Sequence, residues 1–146
     1  MERIEDLATA ARSLGYEYIA ITDHSKSLTI SGGLSEERLQ AQGKVIDALN
    51  AQAPDGFCIL KGIEVDILKN GELDFPDRVL KELDIVVASV HSNFKLDADQ
   101  QTERIVEAAK NEYVDIIGHL TGRLLSRRSG YEIDVDKIID TCACYH

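Results

Sequence analysis

Three of the four histidines stand close behind apolar runs. His24 follows Tyr18-Ile-Ala-Ile-Thr22, His91 follows Asp84-Ile-Val-Val-Ala-Ser-Val90, and His119 follows Val114-Asp-Ile-Ile-Gly118. A carboxylate, Glu64, lies inside a further run formed by Phe57-Cys-Ile-Leu60 and Gly62-Ile-Glu-Val65. A single histidine behind a strand is more often a hydrogen-bonded structural residue. Three at equivalent places, with a carboxylate, form a ligand set suited to zinc, manganese or iron rather than to an all-oxygen calcium or magnesium site. His24, Glu64, His91 and His119 are therefore the expected metal ligands.

Neighbouring residues sort by strand alternation. Glu64 and Asp66 are two apart and share a face, so Asp66 is a candidate to support the ligand shell. Asp23 and His24 are adjacent and point apart in a regular strand. Asp23 is expected to cap the loop or orient another side chain, with support of a ligand as its second role. Arg123, Arg127 and Arg128 gather in the segment after His119. Arginine suits bidentate phosphate contact, which makes Arg123 a phosphate candidate, although solvated surface charge explains the cluster equally well. Ser25, Lys26 and Ser27 carry a weaker signal of the same kind. Cys142-Ala-Cys144-Tyr-His146 mimics a thiolate and imidazole cluster, but helical residues two apart diverge by about 200°. A site there is not expected.

The elements that must position these groups alternate along the chain. Val- and Ile-rich runs ending at the histidines read as strands. Between them, apolar residues recur at helical spacing: Ile4, Leu7, Ala8 and Ala11; Leu39, Val45, Ile46 and Leu49; Ile105, Val106 and Ala109; Val135, Ile138 and Ile139. Ser35 and Asp97 suit helix starts, Gly15 the end of the first helix, and Pro54 with Gly56 the end of the second. Asn70-Gly71 predicts a turn folding Val65–Leu68 back on Glu72–Phe75, ahead of a short helix beginning near Pro76. Such alternation implies parallel pairing with right-handed crossovers, in an open sheet or a barrel. In both, the carboxyl ends of the strands are where sites are built.

Composition narrows the class. With 146 residues the chain fits one ordinary domain. It is 44% hydrophobic and 29% charged, with no apolar run near the roughly 18 residues a membrane span needs. No membrane partner is expected. Three cysteines make no disulfide framework, so the cytoplasm is the expected compartment. A net charge of −10, from 16 basic and 26 acidic residues, argues against a broadly basic nucleic-acid surface.

Five stretches carry a resemblance: Ile19-Ala-Ile-Thr-Asp-His-Ser25, Ser31-Gly-Gly-Leu-Ser-Glu-Glu-Arg38, Leu60-Lys-Gly-Ile-Glu-Val-Asp-Ile67, Val87-Ala-Ser-Val-His-Ser92, and Ile117-Gly-His-Leu-Thr-Gly-Arg-Leu-Leu125 with Arg128-Ser-Gly-Tyr131. In order and spacing the chain resembles the PHP family, the polymerase and histidinol phosphatase domains. It is most similar to the PHP domain at the carboxyl end of bacterial family X DNA polymerases. The resemblance implies a distorted seven-stranded TIM-like α/β barrel with up to three divalent ions, manganese (Mn) or zinc (Zn) foremost. It implies that His24 helps hold one metal, that Glu64 bridges two, and that His91 and His119 share one of these with Glu64. The family's first motif, a His-x-His, is expected before Met1 and its last, an Asp-x-His, beyond His146, so the chain is expected to be a partial PHP domain. Leu120 departs from the family's usual proline.

The implied activity is phosphoester hydrolysis by metal-activated water, at DNA 3′ ends in a parent protein that also carries polymerase domains. Two other readings stand beside it. One is a non-catalytic module that stabilises a polymerase or contacts DNA; the other is a phosphatase of the histidinol phosphate type. An incomplete barrel also exposes unpaired strand edges, from which self-association and impaired hydrolysis are expected.

Overall fold

The computed structural model describes residues 3–28, 32–53 and 56–145. Its elements run α1 (Ile4–Ser13), β1 (Tyr18–Ile21), α2 (Glu36–Asn50), β2 (Cys58–Asp66), α3 (Asp77–Leu80), β3 (Ile85–Ser89), α4 (Ala98–Ala109), β4 (Ile116–Ile117) and α5 (Val135–Tyr145). The alternation read from the residues holds throughout. Pro54, expected to help close the second helix, and Ser31, which opens the Gly-Gly-Leu-Ser segment, lie outside the described residues, as do Met1 and His146.

Among the described residues the four strands pair in parallel in the order β1-β2-β3-β4. Each strand is next to its sequence neighbour, as short helical crossovers dictate. The result is a mixed α/β fold with a parallel sheet, consistent with a TIM-like architecture. The two apolar runs around Glu64 merge into the nine-residue β2. Gly62 makes that continuity possible: a Cβ there would stand 2.7 Å from Ile85 Cγ2 and 3.0 Å from Ile21 O. β4 is shorter than the expected Val114–Gly118 run. Its strand geometry ends before His119, whose φ of 22 takes the chain out of the extended region.

Two aspartates just ahead of strands explain why β3 and β4 begin one or two residues late. Asp84 accepts from Lys61 N through its side chain and donates its own N–H to Lys61 O, both at 2.8 Å. Asp115 does the same with Val86, at 2.7 and 3.0 Å. Each aspartate thereby satisfies a main-chain donor where the next strand has not yet begun.

Capping agrees with the residue types. Ser35 accepts from Arg38 N and Asp97 from Gln100 N, so each start of α2 and α4 has a satisfied donor. The Asn70-Gly71 turn forms as an antiparallel bridge between Ile67 and Leu73, with Leu68 N donating to Glu72 O at 2.8 Å. It is a small hairpin rather than a pair of full strands.

Apolar side chains collect in two clusters. The larger joins Ile63, Val65 and Ile67 of β2, Val86 and Ala88 of β3, Ile105, Val106 and Ala108 of α4, and Ile138 of α5. A smaller one unites Ala8, Ile21, Ile46 and Ile59 between α1, α2, β1 and the first residues of β2. No helix among the described residues is long and apolar enough to cross a membrane.

Candidate metal centre

Strand register brings the site together. Past β1 the chain stays alongside β2, where His24 bridges Glu64 and Ser25 N donates to Glu64 O at 3.1 Å. Between β2 and β3, Glu64 pairs with Val87 and Asp66 with Ser89. Gly118 N donates to Ala88 O at 2.9 Å, which sets His119 just beyond the end of β4. Four strand ends thus deliver His24, Glu64, His91 and His119 to one edge of the sheet.

The donor atoms are close enough to share an ion. His91 Nε2 and His119 Nε2 are 3.1 Å apart, His119 Nε2 is 3.1 Å from Glu64 Oε1, and His91 Nε2 is 3.2 Å from the same oxygen. Adjacent ligands at about 2.0–2.2 Å from one metal lie about 2.8–3.6 Å from each other in octahedral or tetrahedral geometry. This triangle fits that requirement. His24, Glu64 and His91 also offer ligand atoms within 4.8 Å of one another. His24 Nδ1 is buried, lacks a hydrogen-bond partner, and stands 3.5 Å from Glu64 Oε2. An unsatisfied imidazole nitrogen facing a carboxylate is the donor that a cation would satisfy.

The electrostatics favour a charged Glu64. Burial alone would push its carboxyl up, but the Ser89 hydroxyl and the His24, His91 and His119 rings together hold it below the ordinary carboxylate range. Ser89 is fully buried and makes no hydrogen bond of ordinary length, yet lies near enough to favour the ionised form. His91 is governed by Asp66, which is 2% exposed and whose Oδ1 meets His91 Nδ1 in a short contact. Burial alone would push the His91 ring down; Asp66, and after it Glu64, outweigh this and raise it. With its proton held at Nδ1 by Asp66, His91 presents Nε2 to Glu64 and His119.

Other expected residues fall differently. Asp23 accepts from Gln42 Nε2 at 2.6 Å. Arg123 is exposed on the segment after His119. Arg128 is engaged locally, stacking 3.9 Å from the Phe94 ring centroid and donating twice to Gly122 O. Ser25 is not free to meet a phosphate: it is fully buried and its hydroxyl accepts from Asp66 N at 3.0 Å. That bond fixes the backbone of the residue that orients His91. Cys142 packs on the larger cluster and Cys144 is exposed, both on α5.

Ser89 escaped the reading of residues, although its position at the end of β3, two before His91, carried the signal. Arg104 gave none, because a charged residue within a helix normally faces water.

The chain is similar to known proteins along nearly its whole length. A family model described as PHP domain matches residues 1–141. The "DNA polymerase/3'-5' exonuclease PolX" of Bacillus subtilis (strain 168) is 52% identical over 137 residues, covering 94% of this chain and 24% of the relative. A "Probable phosphatase" of Caldanaerobacter subterraneus subsp. tengcongensis is 34% identical, covering 97% of this chain and 52% of the relative. Another, of Thermoanaerobacter sp. (strain X514), is 35% identical over 93% of this chain and 52% of its own length. The chain therefore spans 24% of the first relative and 52% of each of the other two. Since the family match extends over nearly every element that positions the histidines, this chain belongs to the PHP domain family.

Proposed function

We propose that Glu64, His91 and His119, with His24 beside Glu64, hold a divalent cation, manganese or zinc, in a phosphoesterase site. In a longer parent protein with polymerase domains, this site acts on phosphoesters at DNA 3′ ends. The observation that carries the reading is the 3.1–3.2 Å triangle of Glu64 Oε1, His91 Nε2 and His119 Nε2. A bound cation would supply Lewis acidity toward a phosphoryl oxygen and lower the pKa of a water.

The chain's own residues prepare for that chemistry. Glu64, kept ionised by Ser89 and the imidazoles, supplies the negative charge. Asp66 fixes the proton of His91 at Nδ1 and leaves Nε2 as the donor. The exposed Arg123 is placed after His119, where a guanidinium suits phosphate oxygens. DNA 3′ ends are favoured by the 52% identity to the polymerase and exonuclease relative. Small phosphomonoesters form a second reading, supported by the relatives named phosphatases.

The test is uptake of Mn²⁺ or Zn²⁺ by the chain and by Glu64→Gln, followed by hydrolysis of a 3′-recessed DNA duplex and of p-nitrophenyl phosphate. Metal uptake lost in the variant, with metal-dependent cleavage of DNA exceeding that of the small ester, is the expected result. Equal uptake by both proteins defeats the site, and preference for the small ester moves the substrate to the second reading.

A further inference from the structure

Arg104, on α4, runs inward and is 2% exposed. Its Nε donates to Leu68 O at 3.1 Å, Nη1 donates to Ser92 O at 3.0 Å and to Gln101 Oε1 at 3.4 Å, and Nη2 donates to Ile67 O. None of these acceptors is a carboxylate. Burial pushes the guanidinium down from its ordinary range, opposed by Tyr131 and Asp66. An apolar side chain of the same length would anchor a helix without carrying a charge into the interior. The charge therefore calls for a reason beyond packing.

The acceptors supply it by their places in the chain. Ile67 and Leu68 directly follow Asp66, and Ser92 directly follows His91. Asp66 and His91 form the pair that aims His91 Nε2 at Glu64. One planar fork thus joins the exits of β2 and β3 immediately past that pair. Neighbouring contacts reinforce the tie. Gln101, 0% exposed, donates from Nε2 to Asn93 O, where the chain turns with a φ of 55. Gly71, at φ +87, lies against α4 so closely that a Cβ would meet Glu107 Cβ at 2.7 Å and Arg104 O at 3.1 Å.

We propose that Arg104 is a positioning residue for the metal centre: its guanidinium fork sets the spacing of the β2 and β3 exits and so the alignment of Asp66 with His91. The proposal rests on the cation reading above only in naming what His91 binds. A lysine cannot reproduce the fork, because one ammonium cannot reach carbonyls of two strand exits with fixed planar geometry.

The test uses the whole chain as wild type, Arg104→Lys, Arg104→Met and Val106→Ala. The last removes buried apolar contacts from the same helix and serves as a control, with urea unfolding used to compare proteins at equal folded fraction. Arg104→Met keeps the length and removes the buried charge, so it remains informative where the lysine variant does not fold. Co²⁺ binding is followed by visible absorption, and the His91 Nδ1 proton by long-range ¹H–¹⁵N spectra of metal-free protein. Both Arg104 variants are expected to bind Co²⁺ about tenfold more weakly or worse and to shift the Nδ1 proton resonance, with Val106→Ala close to wild type. An Arg104→Lys protein with wild-type affinity and an unmoved resonance overturns the proposal, as does a Val106→Ala protein that loses as much. If wild type and Glu64→Gln take up Co²⁺ alike, the cation reading falls by itself. The resonance then decides the positioning role: displaced in the Arg104 variants it stands, unmoved it falls.

Discussion

The inner strands β2 and β3 and the outer strands β1 and β4 each contribute to the same cluster, but with unequal support. Glu64 and Asp66 sit on β2 and His91 lies two residues past β3, two strands paired on both sides, above the larger apolar cluster and beneath the contacts of Arg104. His24 follows the four-residue β1, which faces the smaller cluster. His119 follows the two-residue β4 and keeps 46% of its side chain exposed. The difference teaches that the residues of one candidate ligand cluster need not be equally buried or equally supported by their strands. Its carboxylate and central imidazole are held by burial and a buried acid, and its flanking imidazoles by short edge strands.

The sharpest way to break this comparison is to remove one ligand from each region. Glu64→Gln is expected to abolish cation binding, because it takes away the charge that faces three imidazoles. His119→Ala is expected to weaken it while leaving a measurable isotherm. Calorimetric titration checks the pair, and equal losses would mean that inner and outer ligands are equivalent.

Stability offers a second contrast. Ile63→Ala, in the larger cluster, and Ile46→Ala, in the smaller, each fall within the range of about 2–5 kcal/mol expected for buried truncations. Ile63 is expected toward the upper end, because its cavity is walled by more elements. Urea unfolding of both variants reads the ordering, and a costlier Ile46→Ala would place the stable centre in the outer region.

Asp66→Asn addresses the buried acid alone. It keeps the volume and removes the charge, so about a 10- to 100-fold loss of cation affinity is expected with the fold retained. Circular dichroism beside a metal titration separates the two, and undiminished affinity would deny Asp66 its role.

The smallest effect concerns pH. In metal-free protein His91 is raised above its unfolded value, so its contribution to stability is complete below the unfolded pKa. It fades as pH rises through the folded one. Glu64 is lowered, so its contribution is present above its unfolded pKa and is lost as pH falls through the depressed folded value. Metal-free stability should therefore fall gently on the alkaline side of the usual histidine range, while cation affinity rises there because imidazole must be deprotonated to ligate. Denaturation midpoints with chelator and with Mn²⁺ across that range check the opposite slopes, and parallel slopes would remove His91 from the account.

Much of this was readable from residue types because it follows from local rules. Val- and Ile-rich apolar runs announced the described strands, helical spacing announced α1, α2, α4 and α5, and Pro76 announced the short α3. Ser35 and Asp97 announced two helix starts, and Asn70-Gly71 announced the turn. Histidines placed behind strands revealed the candidate ligands, since parallel pairing puts all such ends at one edge. Strand alternation is what set Asp23 apart from Asp66, and the two bond to Gln42 and His91 respectively. Strand lengths were less legible: Asp84 and Asp115 look like strand residues until their side chains are seen bonding to a neighbouring strand.

What the sequence determined by itself was the order of elements and the kinds of atoms brought to one edge, because backbone periodicity and pairing direction depend on near neighbours in the chain. Only the tertiary structure decided that Glu64 Oε1 meets two Nε2 atoms at 3.1–3.2 Å, that Ser25 serves Asp66 rather than a phosphate, and that Arg104 closes over two strand exits. Those outcomes depend on register and packing between segments tens of residues apart, where a shift of one residue in the register of β2 would turn Glu64 and Asp66 to the opposite face.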